Sequence, residues 1–95
     1  MEKDENHEQS NYYYVNIYIG TDKKSNNLII TKHGSADDMY ELFNYIKDGD
    51  ISDVIMAEIA ANHIDMDPGW EHDDYVVEMT DPDGNEECSA KVKVE

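Results

Sequence analysis

The chain has 95 residues, 39% of them hydrophobic, with 23 acidic side chains against seven lysines, no arginine and a formal net charge of −16. That length makes one domain with a modest core, and the charge lies far outside the range of roughly 2–8 usual for a small soluble domain. It excludes DNA, RNA and anionic membrane as direct partners, all of which would be repelled, and favours a cationic protein surface. The acidity is also lopsided. Residues 1–48 carry a net −4 and residues 49–95 a net −12, and between Lys47 and Lys91 fourteen carboxylates stand with no basic residue among them.

Residues 1–10 are polar and charged, without apolar partners, and are expected to form a flexible acidic tail ahead of a single domain over residues 11–95. From Tyr12 to Ile19 the pattern alternates. Tyr13, Val15, Ile17 and Ile19 share one face, and Tyr12, Tyr14, Asn16 and Tyr18 the other, the signature of a strand. Gly20 to Asn27 is turn chemistry and Leu28 to Lys32 a returning strand. Ser35, with Asp38 three residues on, predicts a helix N-terminus. Met39, Leu42, Phe43 and Ile46 supply its buried stripe, and Gly49 ends it.

Over Asp50–His63 the alanines favour a second helix, capped by Ser52, striped by Ile55, Met56 and Ile59 and stopped by a left-handed Asn62; Val54 and Ile55 leave a strand as the alternative. Residues 63–73 read as a loop turning at Pro68-Gly69. The chain then closes in a hairpin whose register follows from its apolar rows. A two-residue Asp83-Gly84 loop, or a four-residue Pro82–Asn85 loop, pairs Met79 with Cys88, Val77 with Ala90 and Tyr75 with Val92. A three-residue bulged loop would turn one row outward. The outer face then pairs Val76 with Lys91 and Asp74 with Lys93, and leaves Glu78 in solvent. The order β-β-α-(α)-β-β predicts a two-layer α+β fold: an antiparallel sheet of about four strands, two hairpins, with one or two helices on one face.

The single Cys88 excludes an internal disulfide and suits a reducing compartment. With no long apolar run and no basic-then-apolar leader, the expected location is cytoplasmic. Cys88 is a weak nucleophile candidate, because its inward position and its neighbours Glu86 and Glu87 disfavour the thiolate. No phosphate loop or nucleophile elbow is present, so no enzyme activity is expected. A helix-turn-helix reading of Ser35–Ala61 fails on charge, since its second helix carries Asp53 and Glu58 and no lysine. Asp81 to Glu87 has calcium-loop flavour, but strands flank it where an EF-hand needs helices. His63, Asp65, Asp67 and His72, within the wider run His63–Asp74, have nitrogen and oxygen donors suited to zinc or manganese, giving a metal-binding alternative; the spacing matches no HExxH helix, and a solvated acidic loop is the favoured reading. No cofactor is expected.

What remains is the acidic array. Alternate residues on a strand face stand about 6.6–6.8 Å apart, close to the spacing of neighbouring phosphates along a nucleic-acid strand. Asp65, Asp67, Glu71, Asp73, Asp74, Asp81, Asp83, Glu86 and Glu87 are the candidate partner-binding patch, expected to crowd into the lysine-free stretch at one end of the last hairpin and its preceding loop. Tyr12, Tyr14 and Tyr18 are a possible aromatic interface, or core beneath a second helix or another protomer.

An arginine-free chain rich in Asn, Ile, Tyr and Lys also suits an AT-rich genome rather than a salt-loving host. In these bulk properties (short, strongly acidic, α+β, AT-rich bias) the chain resembles the small phage-encoded inhibitors that mimic nucleic acid, such as anti-CRISPR, anti-restriction and uracil-DNA glycosylase inhibitor proteins. The resemblance is one of composition. It implies a non-enzymatic DNA mimic, encoded by a phage or mobile element, that blocks a basic nucleic-acid-binding protein such as a CRISPR effector, a restriction or repair enzyme, or a repressor. The alternative is an acidic interaction or homodimerisation module without mimicry.

Overall fold

The alternating apolar pattern of the two hairpins resolves into one four-stranded antiparallel sheet in the computed structural model, which describes residues 12–94. The expected tail over residues 1–10 lies outside the described residues. The strands are β1 (Tyr13–Ile19), β2 (Leu28–Gly34), β3 (Asp74–Thr80) and β4 (Glu86–Lys93), in the order β2-β1-β3-β4. The central pair joins the two hairpins, with Val15 opposite Met79, Ile17 opposite Val77 and Ile19 opposite Tyr75. Each pair shares a face, so the apolar rows of both hairpins merge into one inner face.

Two helices cover that face: α1 (Ala36–Tyr45) and α2 (Ile51–Asn62). Ser35 caps α1 as expected, its Oγ accepting from the Asp38 amide at 3.1 Å, with Asp37 and Asp38 in the first turn. α1 runs from the end of β2 across β1 and β3, and the wide turn Ile46–Asp50 lies over β4. Gly49 breaks the helix there with φ of 113°, a backbone that side-chain-bearing residues rarely adopt. The core joins Val15, Ile17, Ile30, Met39, Phe43, Ile46, Ile51, Ile55, Tyr75, Val77, Met79 and Val92. Each fully buried isoleucine or valine among them stabilises the fold by roughly 1.5–3 kcal/mol.

The second helix departs from its expected details. It begins at Ile51, behind an Asp50 that makes no side-chain cap bond, so Ser52 lies inside it. Its inner stripe is Ile51, Ile55, Glu58 and Ile59, and Met56 is exposed. Glu58 takes an inner position because Lys32 of β2 pairs with it and the Asn62 amide donates to it at 2.6 Å. The left-handed stop is His63, with φ of 56°, one residue beyond Asn62.

The last hairpin has the expected register, pairing Tyr75 with Val92, Val77 with Ala90 and Met79 with Cys88, but reaches it by another route. The loop is the three-residue one. Asp81 and Asn85 close it, the Asp81 amide donating to the Asn85 carbonyl at 2.8 Å, and Gly84 takes φ of 91°. A compensating bulge opposes Thr80 to Glu86 and Met79 to Cys88, leaving Glu87 as the extra residue. Two irregularities cancel, and both apolar rows stay inside.

Candidate partner-binding surface

The geometry of β3 divides the nine candidate acids into two groups. β3 has seven residues and spans about 23 Å at roughly 3.3 Å per residue. Asp65, Asp67, Glu71 and Asp73 precede it and Asp74 is its first residue; Asp81, Asp83, Glu86 and Glu87 follow it. The expectation of one crowd at one end of the hairpin is therefore corrected. Most of these acids also stand in loops and turns, so the strand-face spacing of phosphates does not describe them.

At the first end, the chain leaves α2 through His63 and exposes Asp65 and Asp67 before a short turn, Trp70–His72. The Trp70 carbonyl accepts from the Tyr75 hydroxyl at 2.7 Å, which anchors the loop to the core. Burial, with Asp73 and Glu71 nearby, pushes that phenol up to about 12. Asp74 pairs with Lys93 at 3.3 Å, and its carbonyl accepts from the Gly20 amide. At the far end, Asp81 organises the turn: its Oδ1 accepts from the amides of Asp83 at 3.0 Å and Asn85 at 2.8 Å. Glu86 pairs with Lys23 and accepts from Ser89 at 3.3 Å. The Lys23 ammonium holds the Glu86 carboxyl below the usual range.

Two of the nine acids, Asp74 and Glu86, are thus paired with lysines within the chain, and Asp81 is held by backbone amides. Among the described residues, no lysine lies within 4.0 Å of the carboxylates of Asp65, Asp67, Glu71, Asp73, Asp81, Asp83 or Glu87. The fold adds acids that sequence distance concealed. β2 and β3 run in the same direction, so α1 starts at the hairpin-turn end, and Asp37, Asp38 and Glu41 are exposed there beside Asp81 and Asp83. A third exposed group, Asp48, Asp50 and Asp53, marks the helix break; Asp53 accepts from the Tyr45 hydroxyl at 2.9 Å.

The outer face of the sheet is less open than its polar pattern implies. Glu78, expected in solvent, is only 8% exposed. It accepts from the Tyr18 hydroxyl at 2.7 Å and from the Asn16 amide at 3.3 Å, and Lys23 folds back from the β1–β2 loop to within 3.6 Å. Thr31 donates to Asn16 at 3.0 Å, so the row Thr31–Asn16–Glu78–Ser89 crosses all four strands in register. Burial and the adjacent Glu78 push the Tyr18 phenol up to about 12. Sequence reading missed this network because it requires β1 beside β3.

The candidate aromatic interface divides likewise. Tyr18 is consumed by the network, while Tyr12, at 41% exposed, and Tyr14 flank His33 with ring centroids 4.9 and 6.0 Å away. The helices cover the other face, so neither is sheltered by α2. Cys88 is half-buried, and its thiol is pushed up by burial and by Glu87 and Glu86 against the opposing effect of Lys47.

Among the described residues, no three His, Cys, Asp or Glu side chains are placed to hold a metal ion, and no helix is long and apolar enough to cross a membrane. The best-formed recess, of about 260 Å³, is lined by Gly20, Thr21, Asp74, Tyr75, Lys91, Val92 and Lys93. That is below the roughly 300–1,000 Å³ of ligand pockets, and its Asp74 and Lys93 already satisfy each other. No known protein family, curated protein or solved structure matches the chain.

Proposed function

We propose that this protein is a non-enzymatic inhibitor that occupies the cationic groove of a nucleic-acid-binding protein, such as a CRISPR effector, a restriction or repair enzyme, or a repressor, in place of DNA. One observation carries the reading: in a chain of net charge −16, exposed carboxylates with no lysine within 4.0 Å among the described residues stand at both ends of the sheet and at the helix break. Several of these side chains are displayed by strand ends, helix starts and hydrogen-bonded turns, so less ordering remains to be done on binding. Displacement of counterions by a basic groove then favours association. The bulk resemblance to phage-encoded nucleic-acid mimics points the same way.

The test compares charge position with charge total. The protein, immobilised at about 50 mM salt, captures its target from a host lysate, and the complex is challenged with DNA while salt is raised to about 200 mM. Neutralising Asp65, Asp67 and Glu71, or Asp37, Asp81 and Asp83, to the matching amides should weaken capture at least about tenfold. Neutralising Glu2, Asp4 and Glu5 removes the same formal charge and should leave capture unchanged. Equal losses in all three variants, or a target that carries this protein and DNA together, would sink the proposal.

A further inference from the structure

We propose that β4 is a self-complementary edge through which two copies of this chain pair antiparallel about a two-fold axis, extending the sheet to eight strands. Among the described residues β4 bonds only to β3, so the backbone groups on its other side have no partner within the sheet they form. Its charge is polarised along its length: Glu86 and Glu87 occupy the first two positions, and Lys91 and Lys93 flank Val92 in the last three. No other strand among the described residues is divided in this way; β2 carries no carboxylate, β3 no lysine, and β1 no charge at all.

A two-fold axis near Ser89 and Ala90 reverses one copy on the other, and each acidic half then meets a basic half. With Ala90 on the axis, Glu87 stands opposite Lys93 of the second copy; with Ser89 on the axis, it stands opposite Lys91. Either choice keeps faces matched, because residues 87, 89, 91 and 93 share the outer face and Cys88, Ala90 and Val92 the inner one. The inner row adds a second argument. Cys88 and Ala90 pack against the core yet remain only half-buried at the sheet edge, and the same row of a second copy would complete their cover. Both are small, so the two strands can approach without side-chain rearrangement.

Self-repulsion between two copies of charge −16 opposes pairing at low salt. Near 0.15 M, where the Debye length is about 8 Å, distant charges are screened while contacting pairs across the edge are not. The dimer is therefore expected at physiological salt and weaker below it.

Sedimentation equilibrium of the full chain at that salt tests the proposal, with far-UV circular dichroism confirming that each variant is folded. The wild type should be dimeric at high micromolar concentration. Glu87→Lys alone should weaken the dimer at least about tenfold by placing lysine against lysine twice. Lys91→Glu combined with Lys93→Glu should do the same with carboxylates. Mixing these two variants should restore a dimer, now heteromeric, because each reversed edge complements the other. A monomeric wild type would overturn the proposal and leave the lysines as guards against edge pairing. A dimer indifferent to both reversals would overturn it as well, and would place the contact elsewhere, with the Tyr12–His33–Tyr14 group the first alternative.

Discussion

Glu78 sits where the sequence pattern calls for a solvated side chain, yet the neighbouring strand converts it into a buried acceptor held by Tyr18, Asn16 and Lys23. Removing the Tyr18 hydroxyl with Tyr18→Phe takes away a hydrogen bond to a charged group and should cost about 1.5–3 kcal/mol. Glu78→Lys should cost at least as much, because it strands the phenol and sets a second ammonium beside Lys23. Glu78→Gln keeps an acceptor and should be the mildest. On the inner face, Val77 is fully buried, and Val77→Asp should cost several kcal/mol by burying a carboxylate without partners. Urea unfolding at pH 7 ranks the four, and a neutral Glu78→Lys would show that the outer face is solvated after all. Ultraviolet titration of the tyrosines offers a second check: the phenols of Tyr18 and Tyr75 should ionise near 12, later than an ordinary tyrosine.

The elements are joined by two backbone positions with opposite tolerances. Gly49 holds a φ of 113° between the helices, so Gly49→Ala should destabilise by about 1–3 kcal/mol. His63 ends α2 in the left-handed region without being glycine, so His63→Gly should stabilise by up to about 1 kcal/mol. Thermal melts of the two should move in opposite directions; movement in the same direction would mean that the helix ends are not built this way. What the sequence revealed at this scale was local. The Ser35 cap, the stripe from Met39 to Ile46, the break at Gly49 and the pairing of Val77 with Ala90 each depend on residues a few positions apart or on one hairpin's own parity. What it hid depends on the strand order. Glu58 meeting Lys32, Glu78 meeting Tyr18, and Asp37 joining Asp83 at one end all arise from residues 20 to 60 positions apart, which no periodicity connects. The candidate acids were legible as a set, but their division came from the length of β3, which sets the ends apart.

For the whole molecule, charge acts in two opposed ways. The net −16 strains the compact state, and screening relieves that strain, so the melting temperature of dilute protein should rise as sodium chloride increases from about 10 to 500 mM. Against this stand Glu58 and Glu86, whose carboxyls are held low, Glu58 by Lys32 and Asn62 and Glu86 by Lys23. A carboxyl with a depressed folded-state pKa contributes stability that is complete above its unfolded value, about 4.3 for glutamate, and is lost as pH falls through the folded value. Protonating the remaining acids relieves repulsion over the same range. Two groups held in this way among the described residues are few beside the 23 acids of the whole chain, so stability at fixed low salt should peak on the acid side of neutrality, near about pH 5, and decline below about 4. A steady fall from pH 7 downward would show that local ion pairs, rather than total charge, govern stability.

The cancelling pair of irregularities in the last hairpin bears on how its length can drift. Between Asp81 and Cys88 the chain holds one residue more than an unbroken ladder around a three-residue turn would use, and the surplus is Glu87. Losing that residue would leave Thr80 facing Glu86 and Met79 facing Cys88 as before, so the hairpin can shorten there without disturbing its core. Losing Gly84 would leave Pro82 and Asp83 to make a two-residue turn that proline's fixed φ cannot form. The same strand is thus free to change length at its acidic end, so deletions in descendants of this chain should be tolerated at Glu87 and avoided at Gly84.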